Sequence, residues 1–179
     1  TWSTVDGVVE YEVGLDLIEE EPETDKGIAV VPIHTVRVEG NNYTFRELDG
    51  GHYRCRVRSV KDGVVSHYSN AVAVSIDDSL LPQTGVSPYI YIHQDSLYME
   101  APDSVAVYYT TDGSHPSVYS ARYAAPLFLG DKMHVRAIAR RQGCRSSEIV
   151  EQANWFALDG ATYRVLSTIE PAVMLSEAM

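Results

Sequence analysis

The chain has 179 residues, of which 45% are hydrophobic and 22% charged, the composition of an ordinary folded protein of one large or two small domains. Its formal net charge of −11 disfavours nucleic-acid binding, because phosphate backbones would be repelled. No apolar run approaches the roughly 18 residues of a membrane-spanning segment. The first residues, Thr1 to Thr4, lack the basic and apolar stretches of an export signal, so we expect any such signal to lie upstream.

Period-two alternation of apolar and polar residues recurs along the chain, while helical periodicity is nearly absent. In chain order, this alternation predicts strands over residues 9–17, 28–38, 43–47, 52–60, 69–76, 89–93, 97–100, 106–110 and 133–139. Turn signals rich in Gly, Asp and Asn separate them, for example at residues 39–42, 49–51, 62–63 and 112–113. Short strands with regular turns predict an all-β chain built as two tandem immunoglobulin-like β-sandwiches.

The polar segment 78–87, which contains Pro82, predicts a linker between two domains. The first domain is expected at residues 1–77 and the second at residues 88–152. Residues 153–179 form a tail whose segment 161–166 is a candidate for one added strand. Because the boundary region 77–88 holds two prolines, Pro82 and Pro88, and little glycine, we expect a fairly stiff connection.

The first domain resembles a fibronectin type III domain over residues 2–76. The segment LDGGHY at 48–53 has the form of a tyrosine corner, in which the Tyr53 hydroxyl bonds backbone a few residues upstream. Trp2 would normally lie inside the second strand of that family, so its first strand is missing here and the resemblance implies a fragment of something longer, or an edge completed by another segment. Other matching residues are Val5, Gly7, Tyr11, Val13, Val57, Ser59, Asp62, Gly63, Val72 and Val74.

The second domain resembles the small domains at the C-terminal end of chitobiase and β-hexosaminidase, also called fibronectin-type-III-associated domains. The resemblance spans residues 88–150 and is carried by VYYTTDGSHP at 107–116 and VRAIA at 135–139. In the first of these motifs, Asp112 and Gly113 predict a tight turn, because the carboxylate can accept from nearby N–H groups and glycine tolerates positive φ. The resemblance implies an accessory domain of an extracellular or cell-surface bacterial protein.

No residue pattern in the chain predicts catalysis, a metal site or a cofactor. The six histidines lack the spacing of paired ligands, two cysteines are too few for a Cys-rich zinc site, and no serine lies in a nucleophile elbow. We therefore expect no catalytic residue, no metal ligand and no cofactor in these 179 residues.

The segment 89–93 offers the best candidates for ligand binding. As a strand it places Tyr89, Tyr91 and His93 on one face, with Ile90 and Ile92 on the other. Exposed aromatic rings can stack on the apolar faces of sugars, which makes these three residues candidates for glycan contact. The alternative is that the tyrosines cover the sheet or a domain junction, since tyrosine is common in strands and interfaces.

Together these features predict a non-catalytic accessory or spacer module at the C-terminal end of a larger secreted or surface protein, with an upstream domain of the same polypeptide as its first partner. An alternative is an adhesion or glycan-binding module in its own right, with a polysaccharide or protein ligand. A third is a fragment of a glycosidase or protease whose catalytic part lies upstream.

Overall fold

A computed structural model describes residues 1–20, 28–130, 133–158 and 161–164. All regular elements in these ranges are β-strands, paired antiparallel in several sheets, so the all-β prediction is confirmed and the sheets are consistent with β-sandwich folds. The chain divides into two compact units, Thr1–Pro82 with Ser117–Tyr119, and Gln83–Pro116 with Ser120–Met179.

The first unit contains one five-stranded antiparallel sheet in the order β2-β1-β3, with β4 and β5 both paired to the far edge of β3. Two long strands flank a central one, and a register shift between Leu15 and Asp16 marks an irregularity in the β1–β2 pairing. The strands are β1 (Glu10–Glu20), β2 (Ile28–Glu39), β3 (Gly51–Lys61), β4 (Val64–Val65) and β5 (Val72–Ile76).

One face of β1 is apolar and fully buried. Tyr11, Val13 and Leu15 point to this face and lie beside Val57 and Cys55 of β3. The ring of Trp2 packs on Tyr11, with ring centroids 5.5 Å apart, and the Tyr11 hydroxyl accepts from the backbone N–H of Val5 at 2.7 Å. The N-terminal residues therefore cover part of the apolar face of the sheet.

The opposite face of β1 buries two acids among arginines. Arg58 Nε donates to Glu12 at 2.7 Å, and Arg54 Nε donates to Asp16 at 2.7 Å. The guanidinium groups of Arg58 and Arg56 both lie 4.5 Å from the ring centroid of Tyr68, whose hydroxyl donates to Glu12 at 2.9 Å. Burial raises the pKa of Glu12, but the hydrogen bonds from Tyr68 and Arg58 outweigh it and hold the pKa below its usual value.

The turn before β3 contains the hydrogen bond expected of a tyrosine corner. The Tyr53 hydroxyl donates to the backbone carbonyl of Asp49 at 2.9 Å, and the Tyr53 ring is buried. Since the bond ties the first residues of β3 to the preceding loop, it sets where the strand starts.

Two of the sheets in the second unit have the strand orders β10-β7-β6 and β12-β11-β8-β9. Their strands are β6 (Tyr89–His93), β7 (Ser96–Glu100), β8 (Ala106–Thr110), β9 (Ala121–Arg122), β10 (Leu127–Phe128), β11 (His134–Arg140) and β12 (Val150–Ala153). One core lies between the sheets, because alternate residues of each point inward. The core residues are Ile90, Ile92, Leu97, Met99, Val107, Leu129, Val135 and Ala137.

Residues 43–47, predicted as a strand, form no strand pairing. Tyr43 and Phe45 instead pack edge to face with centroids 4.9 Å apart, and Glu47 has a φ of 57°, which interrupts extended backbone. Both rings line a groove over the sheet beside Val13 and Val57. The alternating pattern of this segment thus reflects contact with the sheet rather than membership of it.

Beyond β12 the structure describes two short strands that pair antiparallel, β13 (Trp155–Leu158) and β14 (Ala161–Arg164). The added strand expected in the tail is therefore present over 161–164, and β13 is its partner. Residues 165 and 166 of the predicted strand lie outside the described residues.

Candidate ligand-binding face

The outer face of the three-stranded sheet carries the predicted ligand-binding residues. Ile90 and Ile92 are buried in the core, so Tyr89, Tyr91 and His93 project from the opposite side of β6. The structure thus brings the three predicted residues together on one face.

The neighbouring strands add aromatic residues that the sequence had not singled out. Cross-strand register places Tyr98 of β7 opposite Tyr91, and Glu100 opposite Tyr89. Phe128 of β10 pairs with Ser96, and the preceding Leu127 pairs with Leu97 and packs against the core. Since neighbouring residues of a strand face opposite sides, Phe128 points to the outer face. The outer face of these strands therefore consists of Tyr89, Tyr91, His93, Ser96, Tyr98, Glu100 and Phe128.

The rings on this face are not equally available. Tyr91 and Tyr98 are parallel within 7° and their centroids are 5.1 Å apart, so each covers one side of the other. The Tyr89 ring lies 5.6 Å from Tyr91 at an interplanar angle of 30°. Tyr89 is 56% exposed and Phe128 is 76% exposed, whereas Tyr91 is half-buried. Tyr89 and Phe128 therefore offer the largest open aromatic surfaces of the face.

Polar groups are interspersed with the rings. The Tyr91 hydroxyl donates to Glu100 Oε1 at 2.9 Å, and this bond is the main reason that the pKa of Tyr91 is raised. Glu100 is the charged side chain among the outer-face residues named above, and none of them is Lys or Arg. Such a surface can stack on apolar ring faces and can exchange hydrogen bonds with hydroxyl groups.

A groove of about 470 Å³ lies at the end of β7, and Glu100 is part of its lining. Asp103, Arg122 and Tyr123 line it further along. Glu100 belongs to both the outer face and the lining of this groove, so the two adjoin at that residue.

The first unit has a groove of its own, of about 510 Å³, on the apolar side of its sheet. Trp2, Phe45 and Val72 are among the residues that line it, and no carboxylate contributes to the lining. The buried Trp2 Nε1 has no hydrogen-bond partner in the described structure. This groove offers mainly apolar contact, with Arg56, Ser69 and Asn70 also in its lining.

The motif at 110–114 combines an acid with hydroxyl groups, but these groups bond one another. Both the backbone N–H and the hydroxyl of Ser114 donate to Asp112 Oδ1, at 3.0 and 2.6 Å, and these two bonds lower the pKa of Asp112. The Thr110 hydroxyl donates to the Ser114 carbonyl at 2.7 Å, and Gly113 has a φ of +80°. The predicted capping carboxylate and positive-φ glycine are both present, so the motif is a structural turn.

Within the ranges that the structure describes, no group of three or more His, Cys, Asp or Glu side chains is placed to hold a metal ion. None of those residues forms a helix long and apolar enough to cross a membrane.

The sequence signals for the added residues differ in strength. Tyr98 lies in a predicted strand, and its alternation with Leu97 and Met99 already indicates an outward direction. Phe128 lies in a two-residue strand that no periodicity can reveal. Only the cross-strand pairing shows which way it points.

Comparison with known proteins gives one family match. A family model described as "Fn3 associated" matches residues 98–153, about a third of the chain, and supports an Fn3-associated domain in the second unit. The match covers strands β8 to β12 and the last three residues of β7, while β6 lies outside it. No curated protein matches the chain.

Proposed function

We propose that this chain is a non-catalytic accessory segment of a larger secreted or cell-surface protein. The observation that carries the proposal is the match of residues 98–153 to the Fn3-associated family, which suggests an accessory domain in larger proteins. The geometry of the turn supports it, because Asp112 and the hydroxyls of Thr110 and Ser114 are engaged in local hydrogen bonds. The segment acts on an upstream domain of the same polypeptide by spacing, orienting or stabilising it.

The two units have separate parts in this proposal. The first is a fibronectin type III-like domain, supported by the tyrosine-corner bond from Tyr53 to Asp49 and the antiparallel sheet that it anchors. The second is a domain of the kind found at the C-terminal end of chitobiase and β-hexosaminidase, supported by the turn at Asp112 and Gly113.

The test compares the longer gene product with a version from which residues 1–179 are deleted. Where the upstream domain is an enzyme, we expect its turnover of a small soluble substrate to persist, while its activity on polymeric substrate or its thermal stability falls. Substrate turnover by residues 1–179 alone would contradict the proposal. Complete loss of small-substrate turnover by a folded remainder would contradict it as well.

A second candidate function is glycan binding by the chain itself. It is favoured by the exposure of Tyr89 on the same strand face as Tyr91 and His93. A glycan array probed with the wild type and with Tyr89→Ala and Tyr91→Ala tests it. Binding that is absent, or that both substitutions leave unchanged, rules the candidate out.

A further inference from the structure

We propose that the outer face of the β10-β7-β6 sheet and the adjoining groove form one extended site for a neutral, hydroxyl-rich polysaccharide. The inference rests on the glycan-binding candidate above. It assigns the ligand class, and it adds Phe128, Glu100 and Arg122 to the site.

The two most exposed rings lie at opposite corners of the sheet. Strands β6 and β10 flank β7 on its two sides. Tyr89 of β6 pairs with Glu100 at one end of β7, and Phe128 of β10 pairs with Ser96 at the other end. Two interstrand spacings and four residues of strand separate the two positions, which is roughly 16 Å. A single sugar ring cannot contact both corners, so the face suits a chain of several linked rings.

The stacked pair between the corners has a positioning role. Tyr91 and Tyr98 cover each other's faces, and the Tyr91 hydroxyl is held by Glu100. Since both rings are restrained before a ligand arrives, little side-chain entropy is lost on binding. Tyr91 therefore acts mainly by holding Tyr89 and Glu100 in place.

The groove supplies hydrogen-bonding groups at the Tyr89 end. Glu100, Asp103 and Arg122 are among the residues that line it. Carboxylates accept hydrogen bonds and a guanidinium donates up to five, which matches the hydroxyl groups of a polysaccharide. A chain stacked on Tyr89 can continue into the groove.

Charge and side-chain type select the class of ligand. The outer face holds one carboxylate and no Lys or Arg, and the chain as a whole carries −11, so anionic polymers are repelled. Beside its rings the face presents Ser96, His93 and Glu100 but no aliphatic side chain. Rings alternating with polar groups suit sugars, whose apolar faces stack on rings and whose hydroxyl groups exchange hydrogen bonds.

The test measures retention of the 179-residue chain on neutral polymers (cellulose, chitin, xylan and soluble β-glucan) and on anionic ones (alginate and polygalacturonate). We expect retention on at least one neutral polymer and none on the anionic pair. Tyr89→Ala and Phe128→Ala should each weaken binding about tenfold, because each removes one exposed stacking surface. Val64→Ala, at a position that is 72% exposed in the first unit, is the control and should leave binding unchanged.

Ligand length and the groove give two further readouts on the same preparations. A hexasaccharide of the retained polymer should bind at least about tenfold more tightly than its disaccharide. Arg122→Gln should weaken hexasaccharide binding and leave the disaccharide unaffected.

Three results would overturn this site: no retention on any neutral polymer, preference for the anionic pair, or full affinity in both aromatic variants. Equal affinity for both oligosaccharide lengths would overturn its extended character. None of these results bears on the accessory role, which the deletion experiment decides separately.

Discussion

Replacing Gly113 by alanine tests whether the turn at 112–113 depends on glycine for two separable reasons. The residue has a φ of +80°, where an L side chain is strained by about 1–2 kcal/mol. A Cβ there would also lie 2.8 Å from His134 Nδ1 and 3.3 Å from His134 Cγ. The His134 ring must then move off its present rotamer, away from the 3.3 Å contact with Glu151, and leaving the rotamer adds about 1 kcal/mol. We expect a total loss of about 2–3 kcal/mol.

Gly143→Ala is the matched control, because Gly143 has a φ of +76° but nothing within 4 Å of the added Cβ. It should cost only the backbone strain, about 1–2 kcal/mol. Native-state hydrogen exchange of the β8 and β11 amides reports the opening free energy of the second unit in each variant. His134→Ala should remove most of the difference between the two glycine variants. Equal losses in Gly113→Ala and Gly143→Ala would refute the steric argument.

Three other substitutions and one control probe the packing of the two units. Leu97→Ala, at a core position with no exposure, should cost about 2–5 kcal/mol in chemical denaturation, whereas Leu80→Ala, which is 97% exposed, should change nothing measurable. Tyr53→Phe removes the donor to Asp49 and should lower the opening free energy of β3 by about 1–2 kcal/mol in hydrogen exchange; an unchanged value would argue against the corner bond. Glu12→Gln should cost about 2–3 kcal/mol near neutral pH. The pKa of Glu12 lies below its ordinary 4.5, so this stabilisation is present above that pH and is lost as the pH falls through the lowered pKa. Urea unfolding of the wild type and Glu12→Gln should therefore converge in acid, and a constant gap would contradict this assignment.

Strands with clear alternation and distinct turns at both ends were predictable from the sequence. The ranges 89–93 and 106–110 match β6 and β8 in the structure residue for residue. The strands β9 and β10 were not predictable, because a strand of two residues is too short to show an alternating pattern. The predicted strand at 43–47 was wrong for a different reason: the segment does alternate, but its aromatic rings lie over a sheet and its backbone does not pair with one.

The candidate site shows the same division. The shared face of Tyr89, Tyr91 and His93 follows from period two alone. The stacking of Tyr91 on Tyr98 depends on register, which the tight turn at Gln94, with a φ of 53°, sets between β6 and β7. The alternating pattern of each strand does not by itself specify which residues of β6 and β7 pair across this turn.

Strand β1 has a consequence for how faithfully the first unit folds. From Tyr11 to Asp16 every residue is buried, with apolar side chains on one face and the two acids among arginines on the other. A slip of one residue would turn Glu12 and Asp16 toward Trp2 and the apolar layer, and would set Val13 against guanidinium groups. A misaligned pairing therefore has two costs: carboxylates are buried in the apolar layer, and an apolar side chain faces charged groups. The buried acids thus favour the native register of the central strand during folding.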